Sequence, residues 1–114
     1  MSKAQKNDNK IGLSIQNFEI KVIKNLFSRP KSTLSITNQG LVFFDGARKD
    51  TYKYDVIKFC ELKVPESLLY PEKYINIVFI NDSEPDIRFY PTDTNSTDYD
   101  PIEECLMLIN TFLG

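Results

Sequence analysis

Counted from Asp93, oxygen-bearing side chains fall at positions 1 (Asp93), 3 (Asn95), 5 (Thr97) and 12 (Glu104), the spacing with which an EF-hand loop holds calcium. Position 6 of such a loop needs glycine for its sharp turn and is Asp98 here, and no helical pattern precedes the segment. Asp100, Pro101 and Glu103 read better as a helix start: an aspartate to cap, a proline at the first helical position, and a glutamate to close a capping box. No metal site is expected. Catalysis has less to work with. The 114 residues include no histidine, and the carboxylates, lysines and cysteines fall into no recognisable acid-base or nucleophilic constellation. With only 4 glycines there is no phosphate-cradling loop, so neither an enzyme nor a bound cofactor is expected.

Cys60 and Cys105 sit inside apolar patterns, with no CxxC motif and no histidine, and read as buried free thiols of a reducing compartment. The N-terminal stretch MSKAQKNDNK is not followed by the apolar core of a secretory signal, and no apolar run reaches the length of a membrane span. A cytoplasmic protein is the expectation. Charge is uneven. The formal net charge of -2 divides into +5 over residues 1–31 and -7 over residues 32–114, and from Asp82 onward eight acids face one base, Arg88. Such asymmetry can orient a protein at an anionic surface or reflect solvated faces of either sign. An acidic chain, pI about 5.1, lacks the broad basic face of nucleic-acid binders, so no nucleic acid is expected.

The elements behind these residues are mostly short strands. Residues 1–10 lack apolar content and read as a flexible tail, leaving residues 11–114 as one domain of ordinary size. FEIKVI (18–23), TLSIT (33–37), LVFF (41–44), the segments 51–54 and 56–64, YINIVFI (74–80) and DIRFY (86–90) alternate or run apolar, seven strands in all. Asn38, Gln39 and Gly40, tolerant of positive φ, predict a hairpin turn between the second and third. From Ile102 the period changes: Ile102, Cys105, Leu106, Ile109, Phe112 and Leu113 form one face of a helix over Pro101 to Leu113. Strands followed by one amphipathic helix predict a mainly β fold, a bent antiparallel sheet or open barrel with the helix across one end.

Seven strands and a C-terminal helix, with TLSITNQGLVFFD followed by YKYDVIKF, resemble the pleckstrin-homology (PH) superfold, in particular its GRAM and bacterial PH-like domains. The terminal helix lacks the tryptophan usual in PH domains proper, and Cys105 or Leu106 would fill its space. The resemblance implies a pocket at the open end, lined by the loops joining strands 1 to 2, 3 to 4 and 6 to 7, where basic residues hold inositol phosphates. Lys24, Arg29 and Lys31 from the first loop and Arg48 and Lys49 from the second are its candidates here, with Phe27 placed to enter a membrane interface. Asp82, Glu84 and Asp86 of the third loop would compete for those bases and repel phosphate. Two functions follow: a non-catalytic cytosolic adaptor that binds protein, including copies of itself, at a sheet edge beside the helix, and a peripheral module on anionic lipid. Tyr52, Tyr54, Tyr70, Tyr74, Tyr90 and Tyr99 would serve either contacts or the rim of the core.

Overall fold

A computed structural model describes residues 14–25, 27–92 and 100–114. The expected tail, Tyr99 and most of the calcium-like spacing from Asp93 lie outside the described residues. Seven strands run in order: β1 (Ser14–Val22), β2 (Lys31–Thr37), β3 (Gly40–Phe44), β4 (Lys49–Lys53), β5 (Ile57–Lys63), β6 (Tyr74–Phe79) and β7 (Ile87–Pro91). A 3-10 turn, Tyr54–Val56, joins β4 to β5, and the helix α1 spans Pro101–Leu113. They form one antiparallel sheet in the spatial order β4-β3-β2-β1-β7-β6-β5, curled into a half-barrel with a single terminal helix. Both sheet edges are therefore consecutive strands in the chain. This is the architecture the resemblance implies.

Alternation explains the inner face. Phe18 and Ile20 of β1, Leu34 and Ile36 of β2, Leu41 and Phe43 of β3, and Ile75, Ile77, Phe79 and Phe89 of β6 and β7 are buried together. Each such aliphatic or aromatic side chain contributes about 1.5–3 kcal/mol on leaving water. β1 is longer than expected because its first turns pair with β2 although Ile15 is half exposed, and an irregularity between Ser14 and Gln16 separates that segment from the regular ladder. In β5 the pairing shifts between Ile57 and Phe59, so that Ile57 and Cys60 both face the core while Phe59 faces out opposite Val78.

The predicted β2–β3 hairpin forms, but its turn works differently. Among the described glycines, positive φ occurs at Gly46 (98°) and Gly114 (87°); Gly40 instead opens β3. Buried Thr37 organises the turn: its hydroxyl accepts from the N–H groups of Gln39 and Gly40 at 3.1 and 3.0 Å and donates to the Gly40 carbonyl.

Ile102, Cys105 and Ile109 bury the face of α1 against β5, β6, β7 and the 3-10 turn, with Leu106 partly buried beside them. Asp100 caps the helix by accepting from the Ile102 N–H at 3.1 Å. Glu103 does not close a capping box: its carboxylate lies 4.0 Å from Lys73 Nζ. No helix among the described residues is long and apolar enough to cross a membrane.

Candidate functional site

Three loops meet at one end of the half-barrel, each turned by a side chain that stands in for backbone. Asn25 Oδ1 accepts from the N–H of Phe27 and of Ser28, Asp45 Oδ1 from Ala47 and Arg48, and Asn81 Oδ1 from Ser83. The two backbone donors hold the Asp45 carboxyl below the usual carboxylate range. Between these loops lies a cavity of about 430 Å³, floored by Phe43 and Tyr52. Lys24, Arg48 and Arg88 border it, but so do Asp45, Asp50, Glu84 and Asp86. Both signs are present in nearly equal number. Burial, with the neighbouring Asp50 and Glu84 charges, raises the Tyr52 phenol above its ordinary value.

The five bases singled out in the sequence do not converge. Lys24 and Arg48 border the cavity, and Arg48 is paired with Asp50 at 3.1 Å. Lys31 lies in a separate recess with Phe44 and Thr92. Lys49 sits 6.0 Å over the Phe44 ring, and Arg29 Nη2 donates to the Leu69 carbonyl at 2.6 Å. The expected acidic competition is there in part: Glu84 and Asp86 border the cavity, and Asp86 also accepts from Asn76 Nδ2 at 3.2 Å.

Arg29 belongs to a different device. Residues 64–73, between β5 and β6, form a strap held at several points. Arg29 holds its middle, Arg88 Nη1 contacts the Tyr70 hydroxyl at 3.4 Å, Tyr70 stacks on Tyr74, and Lys73 pairs with Asp100 at 2.5 Å. Leu68 stands fully exposed at its crest, and Phe27 on the adjoining loop is 86% exposed.

A second concavity, about 840 Å³, runs between β5 and α1. Leu62, Leu106 and Met107 give it an apolar lining, and Asp100, Glu103 and Glu104 gather at one end. β5 is an outermost strand, and among the described residues no strand pairs with its other edge. Of the described tyrosines, Tyr52, Tyr54 and Tyr90 pack against the core, and half-buried Tyr70 and Tyr74 stack on each other at the strap. Both cysteines are free and buried; burial pushes the Cys60 thiol up to about 12 and raises Cys105 as well. No group of metal-ligating side chains occurs among the described residues.

No family model and no curated protein matches the sequence. Solved structures do. The chain is similar to the C-terminal domain of an unknown protein from Leishmania infantum, with a TM-score of 0.62 and 16% identity over 89% of this chain and 84% of that one. It is also similar to the complex of the FERM and C-terminal domains of Drosophila Merlin, with a TM-score of 0.63 and 19% identity, covering 90% of this chain and 30% of that one. At such low identity these likenesses establish one thing, the curled seven-stranded sheet with its closing helix.

Proposed function

We propose that the chain is a non-catalytic protein-interaction module of PH-like, GRAM-related type that takes an extended peptide along β5 beside α1. The observation that carries this reading is the outer edge of β5, unpaired among the described residues, bordering a groove on α1 with an apolar stretch. An edge strand offers unpaired N–H and C=O groups in register, which bind a peptide backbone without special side chains, while Leu62, Leu106 and Met107 receive an apolar anchor. The Merlin structure pairs a FERM domain with its own C-terminal domain, a setting in which a domain of this shape lies within a protein-protein assembly. Two unpaired buried thiols suit a reducing cytosolic setting. Selection of displayed random peptides, followed by amide-shift mapping, tests the proposal. Shifts along β5 and α1 support it; an absence of bound peptides, or shifts confined to the three-loop mouth, overturns it.

A second reading, a module on anionic lipid, is favoured by Lys24 and Arg48 sharing the mouth cavity beside exposed Phe27. Its four bordering carboxylates weigh against it, each opposing phosphate by about 1 kcal/mol near water. Co-sedimentation with phosphatidylserine vesicles decides: binding that falls with salt and is lost on Lys24→Glu/Arg48→Glu supports lipid, and none at low salt removes it.

A further inference from the structure

We infer that the groove between β5 and α1 selects peptides in which lysine or arginine flanks an aliphatic anchor; this rests on the groove reading above. The groove has an apolar stretch of Leu62, Leu106 and Met107, with Asn110 beside it and carboxylates at one end. Leu62 faces Leu106 and Met107, whose unbranched side chain is 65% exposed and can adapt to the shape of an anchor. Asp100 caps α1, and Glu103 and Glu104 stand in its first turn beside it.

Their charges are incompletely answered. Lys73 Nζ lies 2.5 Å from Asp100 Oδ2 and 4.0 Å from Glu103 Oε2, so one cation serves two carboxylates. Among the described residues, Glu104 receives only the neutral Gln16 amide, at 3.5 Å. On the strand side Glu61 pairs with Lys63 at 3.3 Å and adds no net charge. The positive end of the α1 dipole offsets about half a unit more. Among the described residues, about one and a half negative charges therefore remain beside the apolar stretch.

The period of a bound strand fits this arrangement. Alternate side chains of a peptide added to β5 face the same way and stand about 7 Å apart, so an aliphatic residue against Met107 places its neighbours two positions away within reach of the carboxylates. Basic side chains there gain opposite charge, and their alkyl stems cover Leu106 and Met107. Acidic or phosphorylated side chains meet repulsion of about 1 kcal/mol per close charge.

The test compares displayed random peptides selected on the wild-type protein and on Glu103→Lys/Glu104→Lys, with a fluorescent copy of the strongest wild-type binder as probe. The wild type is expected to enrich lysine and arginine around an aliphatic residue, and the reversed protein to enrich aspartate and glutamate. The probe is expected to lose about tenfold in affinity on reversal and about threefold on the milder Glu103→Gln/Glu104→Gln, which guards against a helix weakened by cations at its start. Peptides that shift β5 and α1 amides without charge bias, or with a bias unchanged by reversal, overturn this selection and leave the groove reading standing. Failure to enrich any peptide at the groove overturns both.

Discussion

The Tyr54 ring lies parallel to that of Phe112, with centroids 5.5 Å apart and planes 8° from parallel, while its hydroxyl donates to the Thr37 carbonyl at 2.6 Å. One side chain thus ties the end of α1 to the β2–β3 turn. Tyr54→Phe keeps the stack and removes the hydrogen bond, and is expected to cost about 1 kcal/mol. Phe112→Ala removes the stack and half-buried apolar area, at about 2 kcal/mol. Urea unfolding of both and of the double variant checks this; strictly additive losses would mean that stack and hydrogen bond act independently.

Stability is expected to fall at alkaline pH. Burial raises Tyr54 from 10 to about 12 and Cys60 from 9 to about 12, so the folded protein holds these protons more tightly than the unfolded chain. Their contribution is whole below the unfolded values and is lost as pH climbs toward 12, at up to about 1.4 kcal/mol per pH unit for each group. Urea midpoints measured from pH 7 to 11 should hold level and then decline from about pH 9, the thiol onset. Cys60→Ala should lower the midpoint at pH 7 yet soften that onset, and a profile flat to pH 11 contradicts the account.

Thr37→Val deletes a hydroxyl that serves the Gln39 and Gly40 amides and the Gly40 carbonyl inside the core margin. A loss of about 2–3 kcal/mol is expected, with Thr37→Ser recovering most of it. Equal stability of the two variants would show that the turn is set by its backbone alone.

Arg29→Ala is expected to free the strap, raising chymotryptic cleavage beside Leu68 and Leu69 several-fold. Arg29→Lys should cleave almost as fast, because lysine keeps the charge but lacks the planar fork that reaches the Leu69 carbonyl. Protection retained in Arg29→Lys would assign the effect to charge.

The strands and the helix were legible because each has its own period. Ile87 and Phe89 alternate with wet neighbours, and the start of α1 is written in Asp100 and Pro101. The β2–β3 hairpin was legible, but not its mechanism, since Asn38, Gln39 and Gly40 carry the usual turn chemistry whereas Thr37 reads as the end of a strand. The strap was not legible. Residues 64–73 have no period, and the contact of Arg29 with a carbonyl 40 positions along depends on the curl of the sheet. That contact takes Arg29 from the mouth, where the resemblance implied it. The place of the groove, beside an edge strand and the helix, was legible in the element order. Its charge was not, because Glu103 and Glu104 look like ordinary first-turn residues until Lys73 is seen to answer only part of them.

Centre and rim of this sheet are built from opposite distances along the chain. The rims follow one another directly through Tyr54–Val56, whereas the middle seam joins Ile20 to Pro91 and the Glu19 carbonyl to the Thr92 amide. A ribosome therefore delivers β1 and its first partner β2 long before β7 exists, and the growing chain must carry β1 with one flank open until β7 emerges.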